Sequence, residues 1–298
     1  MIIKQIPIRN PLSNYMYLLG CEKTKEAIAI DPLEHGLCLK TASDLGWTIK
    51  TVANTHHHHD HIGGNGPVIE ATGAELVAHA EATDAIPNVD RGLGAGDTLS
   101  CGEFNLRIMD TPGHTMSHIC LYFLGNENEK PALFCGDTLF NAGVGRCDFG
   151  GEPKILYKTF AEQIFPMDDI VRIFPGHDYI ENNIAFTLDR EPDNETAKSL
   201  REQFKGELDA ESFVSDIGLE REINVFFRLA SPQVRDGIAS SLKLDVNDLD
   251  DEKTFIIKEK FVMNNFENEF DEQNYERVTK NSMTELVINK LLIQLTRM

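Results

Sequence analysis

The sequence predicts an α+β chain in two parts: strands mixed with helices over the first 180 residues, then helices alone. Three observations carry this. Short apolar runs rich in β-formers recur from the N-terminus to about Tyr179, bounded by turn residues and separated by helical stretches. Past Tyr179 such runs become rare, and helical patterns dominate to residue 298. No self-similarity appears at a period of roughly 20–50 residues, so a repeat array is excluded. The change of character divides the chain into residues 1–180 and 181–298, and 298 residues are ample for a sizeable core in each arrangement considered, one large domain or two modest ones.

The elements follow in order. "MIIKQIPIRNP" is apolar but short. Lys4, Pro7 and Arg9 interrupt it and no small-residue cleavage site follows, so it reads as a first strand and not as a signal peptide. "NYMYLLGC" and "EAIAID" flank the turn-like "EKTK" and read as antiparallel neighbours. Residues 34–46 fit a helix ending at Gly46. "WTIKTVANT" is the next strand, with a histidine tract directly at its end. A helix over about Pro67–Thr72 precedes the strand "AELVAHA". "GLGAGDTLSCGEFNLRIMDTPGH" gives two strands about a turn at Cys101 and Gly102, then a loop at Gly113 and His114. "SHICLYFLG" and "KPALFCGDTLF" are two more apolar strands. Residues 152–165 suit an amphipathic helix, and "DIVRIFPGHDY" is a strand with a loop at its end. In the helical part, Phe255, Phe261, Phe266 and Phe270 read as core. The acidic runs "NDLDDEK" and "NNFENEFDEQN" read as solvated connections.

Composition narrows the function. The net charge is -20, which repels phosphate backbones and anionic lipid and so argues against nucleic-acid and membrane partners. No apolar run approaches the roughly 20 residues of a membrane span. The six cysteines (Cys21, Cys38, Cys101, Cys120, Cys135, Cys147) show no paired spacing and no C-x-x-C. Reduced, buried thiols in a cytoplasmic protein are expected, rather than a disulfide framework or zinc ribbon.

The chemistry is concentrated in "NTHHHHDHIGGNG", residues 54–66. The tract is internal and lies at a strand end, where loops display functional groups. In an extended segment His56 and His58 point one way and His57 and His59 the other, so His56 and His58 can share one metal ion. Asp60 and His61, just past the bend, can reach a second. Three later loops offer further ligands beside glycine: His114 in "DTPGHTMSH", Asp137 in "FCGDTLF" and His177 in "IFPGHDY". Imidazoles and carboxylates without cysteine suit zinc, iron or manganese. His57 and His59 read as spacers that pack or solvate beside the site, His118 as a group that packs or supports a ligand, and His35 and His79 as structural.

"THHHHDH" resembles the T-H-x-H-x-D-H motif of the metallo-β-lactamase fold superfamily, and "PGHT", "GDTLF" and "PGHDY" follow in that superfamily's order. Within it the chain resembles glyoxalase II, the hydroxyacylglutathione hydrolases, above all at "GDTLFNAGVGR" and "PGHDYIENNIAF", with an echo at "EREINVFFR". The resemblance implies an αββα sandwich followed by an α-helical C-terminal domain, with the site at the strand ends along one edge. It implies two divalent metal ions, zinc foremost, with iron or manganese as alternatives. His56, His58 and His114 would hold the first ion, Asp60, His61 and His177 the second, and Asp137 would bridge them. The implied reaction is hydrolysis of a small-molecule thioester such as S-lactoylglutathione by a hydroxide between the ions. Asp60 would orient that hydroxide, and Arg146 and Tyr179 would hold the substrate. Two departures widen the reading. "GRCDFGG" carries Asp148 where an aromatic is frequent, resembling the G-R-x-D-F segment of persulfide dioxygenases, which would hold a single iron on His56, His114 and Asp137. The C-terminal helices also lack the basic R-x-x-K-D motif of many glyoxalase II chains. A lactone or other acyl hydrolase of the same fold is the further alternative.

Overall fold

A strand covered on both faces must be apolar on both, and β2 (Tyr15–Gly20) is buried at all six positions. In the computed structural model, which describes residues 1–205, 213–242 and 245–256, β2 lies inside a six-stranded sheet with β1 (Ile2–Pro7), β3 (Glu26–Ile30), β4 (Thr48–Ala53), β5 (Glu75–His79) and β6 (Arg91–Leu93), in that spatial order. The first three strands pair antiparallel and the last four parallel. The parallel steps require crossovers. From β3 to β4 this is α1 (His35–Asp44), from β4 to β5 it is α2 (His59–Ile62) with α3 (Asn65–Thr72), and from β5 to β6 it is a connection through the short 3-10 turn Ala80–Ala82. A second sheet holds β7 (Thr98–Cys101), β8 (Phe104–Asp110), β9 (Ile119–Phe123), β10 (Ala132–Gly136) and β13 (Arg172–Pro175). Here β13 runs parallel to β10 after a crossover through α4 (Pro153–Thr159). Between β10 and α4 stands a small hairpin, β11 (Leu139–Phe140) with β12 (Gly143–Val144).

The two-residue period of the strands sorts the core into layers. Tyr15, Tyr17, Leu19, Ile28 and Ile30 of the first sheet face Leu106, Ile108, Ile119, Leu121, Phe134 and Phe174 of the second. The intervening residues Met16, Leu18, Ala27, Ala29 and Val52 face outward onto Cys38, Ala42 and Val68 of the helices. On the other side Cys120, Leu133, Cys135 and Ile173 face Leu156, Phe160 and Ile164. The result is the expected αββα sandwich.

Among the described residues the C-terminal part is helical as expected: α5 (Ile180–Arg190), α6 (Glu195–Phe204), α7 (Ile217–Ile223), α8 (Pro232–Leu242) and a helical stretch over 251–256. It shares a core with the sandwich. Ile217, Val225, Phe226, Leu229, Val234, Ile238 and Phe255 pack in the same cluster as the outer face of the second sheet. Phe261, Phe266, Phe270 and "NNFENEFDEQN" lie outside the described residues. No helix among the described residues is long and apolar enough to cross a membrane.

Three local features differ from expectation. β6 is a three-residue strand held by parallel pairing to β5, too short to show a period. The chain bends at Thr55 and His56, and His59 opens a helical turn, so the tract is not a continuous extended segment. The helix expected over 152–165 changes after Thr159 into a π turn, Phe160–Ile164, in which the Phe165 N–H reaches the Phe160 carbonyl at 2.8 Å.

Candidate metal centre

All seven candidate ligands converge at one edge of the sandwich, at the ends of strands and in the loops that follow. β4 delivers His56 and His58, α2 carries Asp60 and His61, and the loop after β8 carries His114. Asp137 follows β10, and His177 follows β13. Three overlapping groups bring one ligand atom from each residue within 4.8 Å of one another: His56, His58 and His114; His56, His61 and Asp137; Asp60, His61 and His177. Asp137 lies between the outer two. Its Oδ2 is 3.5 Å from His114 Nε2 and 3.2 Å from His177 Nε2, and its Oδ1 is 3.4 Å from His61 Nε2.

Which nitrogen of each ring faces the centre is fixed from outside. His58 Nε2 meets the Phe149 carbonyl at 3.0 Å, His114 Nδ1 the Arg146 carbonyl at 2.5 Å, and His177 Nδ1 the Leu12 carbonyl at 2.7 Å. His61 Nδ1 meets Asp31 Oδ2 at 3.0 Å. These oxygens only accept, so each of those nitrogens carries the proton. Thr55 spends its single hydroxyl proton on Asp31 at 2.7 Å, so it accepts from His56 Nδ1 at 3.0 Å. Five inward nitrogens are therefore bare in the neutral rings.

Those bare nitrogens are close. His56 Nε2 and His114 Nε2 each stand 3.0 Å from His58 Nδ1, and His61 Nε2 stands 3.2 Å from His177 Nε2. Facing lone pairs repel unless a proton or a metal ion lies between them. A tetrahedral ion with bonds of about 2.0–2.1 Å sets its ligands about 3.3 Å apart. Asp137 Oδ1 is a buried acceptor that takes no hydrogen bond from any described group. The donor set therefore fits two divalent ions.

The electrostatics agree. Burial holds His56 well below the ordinary imidazole range and His114 down to about 4, so both stay neutral and able to ligate. Burial pushes the Asp137 and Asp60 carboxyls up, but the surrounding imidazoles outweigh it and leave both ionised, Asp137 well below the usual carboxylate range. Burial disfavours charge on His61 as well, yet Asp137, Asp60 and Asp31 raise it to about 10. The negative field that favours a proton at that ring favours a cation at the same place.

Glycine makes this approach possible at two positions. Gly136 takes φ +46, and a Cβ there would stand 2.6 Å from Thr55 Oγ1 and 2.8 Å from His118 Nε2. A Cβ on Gly176 would stand 2.2 Å from Asp137 Oδ1.

The remaining candidates divide. His118 Nε2 accepts the Asp137 backbone N–H at 3.2 Å and so supports the loop from outside the ligand ring. His57 Nδ1 contacts Ser117, and His59 and His35 are exposed. His79 Nδ1 accepts from the Glu81 N–H, and its Nε2 meets Asp110. Tyr179 stacks on His177, with ring centroids 5.0 Å apart and planes at 7°, and its hydroxyl lies 3.2 Å from His177 Nδ1. Arg146 donates through Nε and Nη2 to Asp148 at 2.9 and 2.6 Å and lies over the Phe149 ring. Sequence reasoning missed Asn14, whose side-chain amide donates to Asp60 Oδ2 at 3.0 Å, and Asp31, which orients Thr55 and His61.

The family described as the metallo-beta-lactamase superfamily matches residues 10–206. The chain belongs to the metallo-beta-lactamase superfamily. The fold, together with the His and Asp clusters seen here, implies two divalent metal ions. A second family, the hydroxyacylglutathione hydrolase C-terminus, matches residues 178–255. A hydroxyacylglutathione hydrolase of Nitrosococcus oceani is 49% identical over 87% of this chain and 97% of its own length. One from Polaromonas sp. shows the same figures. Among solved structures, ETHE1 from Myxococcus xanthus superposes with a TM-score of 0.58 at 29% identity, covering 75% of this chain and 83% of its own.

Proposed function

We propose that this chain is a dinuclear metallohydrolase that cleaves the thioester of S-lactoylglutathione or a close hydroxyacyl analogue. The observation that carries the reading is the pair of complete ligand trios on either side of Asp137, His56 with His58 and His114, and Asp60 with His61 and His177. The single-iron dioxygenase reading would employ only His56, His114 and Asp137. It would leave Asp60, His61 and His177 gathered without a task. The likeness over 87% of the chain to relatives named for thioester hydrolysis supports the same choice.

Two bound divalent ions would acidify water and polarise a carbonyl there. Zinc is the resident ion in this reading, on a donor set of five imidazoles and two carboxylates. The chain's own residues do the rest. Asp60 Oδ2, 3.4 Å from His177 Nε2 and held by Asn14, accepts a hydrogen bond from attacking water and fixes its direction. Arg146 and Tyr179 border the centre and contact the thiol portion of the substrate. The thiolate leaves without a strong acid, because a free thiol ionises near pH 8.5. We set the boundary of the helical domain near residue 180. All six cysteines are free, buried thiols, which supports a reducing, cytoplasmic setting.

The test is thiol release from S-D-lactoylglutathione by purified protein, with metals counted on the same sample. Release with two ions per chain is expected. One iron per chain, with oxygen uptake on a glutathione persulfide and no thiol release from the thioester, would overturn the reading.

A further inference from the structure

The small hairpin β11–β12 stands beside the metal centre and is gripped from the C-terminal helical part. At its turn Ala142 takes φ +56, an unfavourable conformation for a residue with a Cβ, so something must hold it. Glu220 on α7 does. It is wholly buried, and its Oε2 accepts the Ala142 N–H at 2.8 Å. Asn224, one turn further on, donates to the Gly143 carbonyl at 3.0 Å and to Glu220 Oε2 at 2.9 Å. Asn183 of α5 donates to the Asn141 carbonyl at 2.8 Å. Ser215 completes the carboxylate by donating to Oε1 at 2.7 Å.

What the hairpin carries makes the grip consequential. Just after it, the Arg146 carbonyl receives the proton of His114 Nδ1 and so aims His114 Nε2 at the centre. The backbone at Gly145 passes so close that a Cβ there would stand 2.9 Å from His114 Nδ1. Within it, the Phe140 ring packs edge-on against His177 at 5.7 Å and Tyr179 at 5.3 Å. A shift of the turn therefore reaches a ligand of each trio.

We propose that Glu220 and Asn224 are positioning residues for the metal centre: by holding the backbone of Ala142 and Gly143 they fix the Arg146 carbonyl that orients His114 and the Phe140 ring that backs His177. The helical segment thus acts on the ligands and is more than a cover for the sandwich. The positioning claim concerns metal binding, and its link to catalysis rests on the thioester hydrolase reading above.

The test compares Glu220→Met, Glu220→Gln and Asn224→Ala holoenzymes with the wild type. Two quantities are followed: the rate at which each ion passes to excess chelator, and kcat and KM for S-D-lactoylglutathione. Groups that orient metal ligands are worth about 10–100-fold in affinity or activity. Acting one contact further out, Glu220→Met and Asn224→Ala should release at least one ion about ten-fold faster. They should lose kcat by a similar factor with KM little changed. Gln keeps an acceptor for Ala142 and Asn224 and can donate to Ser215 Oγ, so Glu220→Gln should behave as wild type. Folded Glu220→Met and Asn224→Ala that keep both ions at the wild-type rate would overturn the proposal, whatever their melting temperatures. So would a Glu220→Gln as defective as Glu220→Met. If the wild type itself released no thiol, the substrate reading would fail while the comparison of metal release still decided this one.

Discussion

Replacing Gly176 with alanine adds one methyl group at a place where the centre has no room for it. The new Cβ would stand 2.2 Å from Asp137 Oδ1 and 2.8 Å from His61 Cε1. A carbon–oxygen contact relaxes to about 3.3 Å, so the carboxylate or the β13 backbone must move by about 1 Å. Metal–ligand distances tolerate only about 0.2 Å, and a displacement of about 1 Å in a reacting group can cost about 100-fold in rate. Strain from overpacking adds about 1–3 kcal/mol of lost stability. Gly176→Ala should therefore fold with a lowered melting temperature, hold fewer than two ions per chain, and lose about 100-fold in kcat. Metal analysis beside thiol-release kinetics on the folded variant measures all three. A folded Gly176→Ala with two ions and wild-type kcat would refute the reasoning, because it would mean that Asp137 Oδ1 does not need its observed position.

Four further perturbations address other links. Asp137→Ala and His58→Ala should each abolish turnover while leaving the far-ultraviolet circular dichroism of the fold, and Asp137→Ala with verified metal and retained activity would contradict a bridging carboxylate. Asp31→Ala removes the acceptor that holds His61 Nδ1 and should weaken metal binding by about 10–100-fold, read by competition with a chromophoric chelator. Glu220, whose pKa burial pushes up from 4.5 to about 7, should make the apoprotein less stable as pH rises. Its contribution is complete below pH 4.5, where both states are protonated, and is lost as pH passes 7. The loss is about 3 kcal/mol at about 1.4 kcal/mol per pH unit. Urea denaturation across this range should show Glu220→Gln gaining on the wild type by that amount at pH 8, and parallel curves would contradict it.

The sandwich was legible because its inner strands carry apolar side chains on both faces and its turns are marked by Gly and charged residues. β6 was not, since three residues held only by pairing with β5 show no period of their own. The seven ligand positions could be read from their motifs, and His56 and His58 do face one centre, though through a bend at Thr55 and His56 rather than an extended run. The groups that fix ring orientation could not. The carbonyls of Leu12, Arg146 and Phe149 carry no side-chain signal and stand 165, 32 and 91 residues from the rings they hold. Arg146 reads in sequence as a substrate cation, and its fork geometry with Asp148 became visible only in three dimensions. "EREINVFFR" showed in sequence only an echo of the family. Its Glu220 and Asn224 gain meaning only from the left-handed turn at Ala142, 78 residues from Glu220 in sequence.

The most direct measurement is anomalous X-ray scattering from crystals of the metal-loaded protein, collected at the absorption edge of the ion found by analysis. Two peaks are predicted, one bonded by His56, His58 and His114 and the other by Asp60, His61 and His177, with Asp137 touching both. A single peak on His56, His114 and Asp137, with Asp60, His61 and His177 bonded to nothing, would contradict a dinuclear hydrolase.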